Sequence, residues 1–314
     1  MKKFITKLLI YIFILLGFVL VINFAYIKLD RSDDGTKKFQ NVPTDIAICN
    51  FGSSHGQYGY NYEDIENDYV CFNFALVSQT LSYDCCLLKN YQANISEDAV
   101  VFITISYFSS FGINEVETDN FELKNKRYYK ILPASLIKEY NLCTDISKAF
   151  PSLYADGEKL AVVLLGGNQG DSDESWKRTA ENIDIEKDAD AAYLRHLVTN
   201  KQDENGRLIH NEEEISALYE MIAICREKGA TPILVTTPFL SEYTDRVQEG
   251  IPDFLDEFYG IIDQVVKDTG VEYYDYSMDE RFQNEYSLFM NSDHLNKEGA
   301  RVFTNILMDE VYLE

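Results

Sequence analysis

The sequence predicts an α/β fold, a parallel sheet with helices on both faces, that carries a long insertion and follows one membrane-spanning helix. Three observations lead there. Short apolar runs that close in glycine or polar turns alternate with stretches of helical spacing, the pattern of strand–helix–strand units. One of those runs, residues 99–106, is apolar on both faces, as a strand inside a parallel sheet should be. Residues 8–27 form 20 consecutive uncharged positions rich in Leu, Ile, Phe and Val.

At about 1.5 Å rise per residue, that first run matches a hydrocarbon core of roughly 30 Å. A cleaved signal peptide would carry a shorter apolar region, about 7–15 residues, followed by small residues. Asn23-Phe24-Ala25-Tyr26 supplies no such site, so an uncleaved anchor is expected. Lys2, Lys3 and Lys7 place residues 1–7 on the cytoplasmic side. The rest would then lie outside, in a single-pass protein of the cell membrane. Residues 28–42 are polar and aperiodic and end before Pro43, which suits a tether to a folded domain at 43–314.

Within that domain, residues 45–50 read as a first strand ending in Phe51-Gly52-Ser53-Ser54-His55-Gly56, and residues 69–74 as a second. A helical stretch over 79–91 follows, then the strand at 99–106. From about 107 to 211 the rhythm breaks. One further apolar run, 160–165, closes on Gly166-Gly167-Asn168, and the remainder is polar and acidic. A departure of this length reads as an insertion elaborating the top of the sheet, usually functional or mobile. The alternation resumes with a helix at 215–228 and a strand at 232–237. Residues 254–269 and 271–275 repeat the unit, and an amphipathic helix at 297–311 closes the chain. Functional residues of such a sheet should lie beyond the carboxyl ends of the strands.

Composition narrows the function. The 314 residues are 46% apolar and 25% charged, which excludes disorder and low complexity and fits one domain, or at most two. The formal charge is −24. Residues 1–30 hold Lys2, Lys3, Lys7 and Lys28 against Asp30, or +3, so the remainder carries −27. Such a surface repels polyphosphate, and nucleic acid is set aside as a partner. Six cysteines are too few for a disulfide-built scaffold, and none shares a metal-ligand spacing with histidine. Neither a metal nor a cofactor is expected.

Two segments carry chemistry. A serine in a glycine-flanked turn after the first strand and a histidine just before the last helix can meet above one sheet edge. Together Ser54 and His294 make a nucleophile and a base, the hydroxyl activated by imidazole. With Gly52-Ser53-Ser54, Asn73-Phe74-Ala75 followed by Gln79, and Asn291-Ser292-Asp293-His294-Leu295-Asn296-Lys297-Glu298-Gly299-Ala300, the chain resembles the SGNH (GDSL-like) hydrolases. More narrowly, it is similar to their membrane-anchored extracytoplasmic branch. That branch includes the D protein of lipoteichoic-acid D-alanylation and the alginate O-acetylation proteins. The likeness covers roughly 43–110 and 215–314 and leaves the insertion uncovered.

The resemblance implies a three-layer α/β/α, flavodoxin-like sheet and a serine-dependent O-acyltransferase or esterase acting on a cell-envelope polysaccharide through an acyl-serine. It also implies a carbohydrate or polyol acceptor and a polytopic membrane-bound O-acyltransferase as partner. Three departures bear on the chemistry. Asn291 stands where the family has an aspartate three residues before the histidine. An amide oxygen can accept from His294 but brings no charge, and the same change in the serine-protease triad costs about 10⁴-fold in rate. Asp293 is the substitute; either residue can instead be a helix cap. At the oxyanion hole, Ser78 holds the family's glycine place and its N–H would join that of Ser54. The third block, Thr104-Ile105-Ser106-Tyr107-Phe108-Ser109, lacks the family's asparagine. Ser106 or Tyr107 is the candidate hydroxyl there, or an ordinary strand-end residue, and Asn168 is a remoter candidate. The third departure is His55, which is expected to face solvent or the acceptor. His196 and His210, in polar surroundings, read as surface residues. Decay of the triad would leave instead a non-catalytic binding or scaffold partner of a membrane-bound acyltransferase.

Overall fold

The computed structural model describes residues 2–30, 35–63, 69–153, 155, 157–166, 176–251 and 253–312. It opens with helix α1 (Lys2–Leu29), long and apolar enough to cross a membrane, a property that signal sequences share. The folded domain follows as β1 (Ile46–Phe51), α2 (Ser54–Gly59), β2 (Cys71–Asn73), α3 (Leu81–Tyr91) and β3 (Ile95–Thr104). Short helices α4 (Phe121–Asn125), α5 (Leu142–Ala149), α6 (Gly157–Leu164) and α7 (Ile185–Tyr193) occupy the expected insertion. Then come α8 (Glu212–Lys228), β4 (Thr231–Thr236), α9 (Ser241–Gly250), α10 (Phe254–Thr269), β5 (Glu272–Asp275) and α11 (Lys297–Tyr312).

The five strands form one all-parallel sheet in the order β2-β1-β3-β4-β5. Side chains alternate across it, and each face meets its own helical layer. Cys49, Phe51, Val101, Ile103 and Leu234 point to the face covered by α3, α8 and α10. Ile48, Phe102, Ile233 and Val235 point to the face covered by α11, where Phe303 and Leu307 lie. Three layers and parallel strands put every strand's carboxyl end on one edge, and β1 and β3 are central neighbours in it.

Two segments differ from the sequence reading. The apolar run at 160–165, for which the pattern named no element, forms most of α6, which packs on α1 outside the sheet. Residues 35–42 are more than a tether. Phe39 is buried between Phe72, Phe74 and Tyr91, and Lys38 Nζ donates to Ala75 O at 2.5 Å, anchoring the 3₁₀ turn Lys37–Asn41 beside the sheet. One aromatic at a favourable place docks a chain whose polar neighbours conceal any periodicity.

Candidate functional site

The site begins where β1 ends. Gly52 turns with φ +136°, and a Cβ there would stand 2.7 Å from Thr104 Cβ on the adjoining strand. Its N–H donates to Asp84 Oδ1 at 2.8 Å, and Gln79 Nε2 donates to Gly52 O at 3.3 Å and to the same Asp84 oxygen at 2.5 Å. Asn73 braces the next turn, donating to Gly56 O and Gln57 O at 3.1 and 3.2 Å and accepting from Ala75 N–H at 3.0 Å. The Asn73-Phe74-Ala75 and Gln79 segment is therefore the scaffold of the serine turn. Ser54 emerges from it as the first residue of α2.

His294 arrives from the other end of the chain. Asn296 fixes its loop, donating to Ser287 O at 2.7 Å and accepting from Gly299 N–H at 2.9 Å as α11 starts. A Cβ on Gly299 would stand 1.9 Å from Leu288 O, so only glycine lets the helix approach this closely. The result brings His294 Nε2 to 2.8 Å from Ser54 Oγ.

His294 Nδ1 has two neighbours. Asn291 Oδ1 lies at 3.1 Å with hydrogen-bond geometry, and the same oxygen accepts the His294 backbone N–H at 2.8 Å. Asp293 Oδ1 lies at 3.0 Å but is turned out of hydrogen-bond alignment. The roles of orienting and charging the imidazole, joined in one aspartate in the familiar triad, are divided here. Asn291 supplies the directional acceptor and Asp293 the negative charge.

Asp293 is 1% exposed and is shared among three imidazoles. Its Oδ2 lies 3.3 Å from His55 Nε2 and 3.5 Å from His196 Nδ1, with Arg195 Nη2 at 3.7 Å. Burial by itself pushes this carboxyl up; His294 beside it, with His55 and His196, outweighs that and holds it well below the usual range. His55, far from facing solvent, is 2% exposed. The reason is local: Ser54 opens a helix, so the next side chain swings about 100° around its axis and into the domain. Burial chiefly lowers the His55 value to about 4 and keeps the ring neutral. Its proton then sits on Nε2 toward Asp293, and Nδ1 accepts from Ser106 Oγ at 2.8 Å, which in turn touches Ser53 Oγ at 3.2 Å. Ser106 is thereby committed to His55 and does not line the cavity at Ser54.

His196 is also buried, contrary to its polar sequence surroundings. It sits on the π-helical turn Leu194–Val198 that continues α7, with burial chiefly lowering its pKa. Arg195 Nε donates to His196 Nε2 at 3.2 Å, and His196 Nδ1 meets Tyr243 OH at 3.2 Å. The spacing of Ala189, Ala192, His196 and Leu197, all buried, was the signal that could have found it. His210, by contrast, is partly exposed and pairs with Glu257 at 2.8 Å.

Ser78 takes a left-handed backbone with φ +54°, the region that favours glycine, and lines the same cavity as Ser54. Among the described residues, neither the Ser54 nor the Ser78 N–H is engaged in a hydrogen bond, so both are available to a developing oxyanion. Tyr107 is buried against Phe239 and Phe258, away from the cavity, and Asn168 lies outside the described residues. The cavity, about 600 Å³, runs from Ser54 and His294 under the insertion to Lys124 and Lys201.

One ligand atom each from His55, Asp293 and His294 falls within 4.8 Å of the others. Those separations would also suit a small divalent cation. An ion held there would take a His294 nitrogen, in competition with that ring's contacts to Ser54 or to Asn291 and Asp293.

No protein-family model matches the chain, and no curated protein does. Fifteen solved chains match. One, a Streptococcus pneumonia protein provisionally described as a platelet activating factor, is 12% identical and covers 96% of this chain and 99% of its own, with a TM-score of 0.41. A likeness at that score carries no argument about chemistry, which rests on the side chains.

Proposed function

We propose that the protein is an SGNH-type acyl ester transferase or esterase whose nucleophile is Ser54. The observation that carries this reading is the 2.8 Å contact between Ser54 Oγ and His294 Nε2, with the other imidazole nitrogen held between an amide oxygen and a buried carboxylate. Ser54 attacks an acyl carbonyl as His294 takes its proton, and Asp293 stabilises the imidazolium that forms. The tetrahedral oxyanion is received by the N–H groups of Ser54 and Ser78. Collapse expels the leaving alcohol, protonated by His294, and the acyl-serine passes its acyl group to a hydroxyl or to water.

The resemblance favours O-acyl transfer to a cell-envelope polysaccharide or other polyol, outside the membrane, beside a polytopic membrane-bound acyltransferase. Cavity charge supports an acceptor or acyl group bearing both signs. Lys124, Arg195 and Lys201 face Glu115 and Glu214 around its walls, although the chain as a whole is strongly acidic. Tyr58 and Phe108 add apolar surface there on which a sugar face can rest. Turnover of an aryl acetate, abolished in both Ser54→Ala and His294→Ala and unaffected by chelator, is the expected outcome. Turnover absent in the unmodified chain would favour the non-catalytic scaffold, and loss on chelation would favour a metal at the histidine cluster.

A further inference from the structure

We infer that the insertion seats the domain in the outer leaflet of the bilayer through α5, α6 and the 3₁₀ turn between them. This rests on the reading of α1 as a retained anchor. Asn23 is a polar residue inside the 20-residue apolar run, four positions before its end at Ile27. At helical rise that is about 6 Å below the hydrocarbon boundary. An unpaired amide at such depth is costly, and Asn23 is not unpaired. Its Nδ2 donates to Ala149 O at 2.9 Å, and its Oδ1 accepts from Ser152 N–H at 3.3 Å and Ser152 Oγ at 3.0 Å. Asn23 and Tyr26 are both buried, while Phe13, Leu15 and Phe18 on the same helix are largely exposed. The carboxyl end of α5 and the turn Pro151–Leu153 therefore share the depth of Asn23.

What these segments show to their surroundings fits that depth. Leu142 and Ile146, one helical turn apart on α5, are exposed, as are Leu153 and Leu165, the last at 85%. In water this would be a strand of isolated apolar side chains beside an acidic domain; next to α1 it continues the surface that α1 already offers to lipid. The charges of α5 do not contradict it. Lys148 pairs with Asp145 at 2.7 Å and reaches back to Tyr129 O at 2.9 Å, toward the body of the domain. Because the same insertion walls the cavity through Lys124 and Lys201, the seat would hold that cavity at a set height above the bilayer.

The test uses the full chain in liposomes, in a Cys71→Ser, Cys86→Ser, Cys143→Ser background that leaves only buried native thiols, with an environment-sensitive fluorophore on single introduced cysteines. Ile146→Cys and Leu165→Cys alter exposed residues, and unchanged thermal melts show that both fold. Quenching by lipids brominated near the top of their acyl chains should approach that of a Phe13→Cys probe read with mid-chain bromine. It should clearly exceed that at Glu227→Cys, a position exposed on α8 of the domain. Quenching at position 13 but not at 146 and 165 overturns the seat and leaves the anchor standing. The same probes shielded from both lipid and aqueous iodide would mean a protein partner covers them, and would overturn it too. No quenching at position 13 would remove the anchor and the seat together.

Discussion

At His294 the difference between an amide and a carboxylate decides the chemistry. Asn291 alone would orient the ring without charge, and the sequence leaves open which of Asn291 and Asp293 serves it. The structure brings both to Nδ1, at 3.1 and 3.0 Å, with different jobs. Asp293→Asn should therefore cost about 10³–10⁴-fold in kcat/KM, comparable with losing the charge of a conventional triad. Asn291→Asp should not raise activity, because a second carboxylate would crowd the first and pull the imidazole proton toward a repelling pair. Steady-state kinetics on an aryl ester read both. The buried imidazoles give a pH signature. The folded value of His55, about 4, lies below its ordinary 6.5, so the unfolded chain binds more protons between them. Stability is full above about pH 6.5 and falls as pH drops through 4, and His196 shifts in the same direction. Thermal melts across this window should show a loss on the order of 3 kcal/mol from His55, made shallower by His55→Gln. Neither His55 nor His196 was legible as a site residue. One hides behind its neighbour's helix start and the other behind charged sequence neighbours.

The elements show how a few side chains set the turn that carries Ser54. Strands and main helices were readable from periodicity: Phe254–Thr269 matches residue for residue, and each strand lies within a few residues of its expected place. Helix α9 and the helical state of α6 were not, because short segments owe their structure to what they pack on rather than to pattern. Asp84 on α3 belongs to this scale. Burial, above all, raises it to about 8, so at neutral pH it is mostly an uncharged acid whose Oδ1 accepts from Gly52 and Gln79. Being held protonated, it contributes stability that is full below about pH 4 and is lost as pH rises from there through 8, opposite in sign to His55. Asp84→Asn keeps the acceptor without the titration and should raise stability at pH 7, where the unfolded aspartate of the unmodified chain gains from ionising and the folded one does not. Asp84→Ala strands two buried donors and should be about 1–3 kcal/mol less stable than Asp84→Asn, with activity falling as the serine turn loosens. Chemical denaturation at pH 7 and pH 9 separates the two variants.

Over the whole molecule, topology does the assembling. A serine after the first strand and a histidine before the last helix are 240 residues apart in sequence and 2.8 Å apart in space, because both lie beyond the carboxyl edge of one parallel sheet. That much the motif positions already foretold. The insertion's contribution was not readable: it closes a cavity over the pair, lends it His196, Arg195, Lys124 and Lys201, and grips the end of α1. The charge of −24 likewise changes meaning, since the cavity beside Ser54 is lined by residues of both signs rather than by the acidic exterior. The central claim is that Ser54 is a nucleophile activated by His294. Its most direct test is to react the full chain with a fluorophosphonate and locate the adduct by peptide mass spectrometry. The account predicts a phosphonyl group on Ser54, absent in Ser54→Ala and formed far more slowly in His294→Ala. Undiminished labelling of Ser54→Ala, or an adduct on another residue, would contradict it.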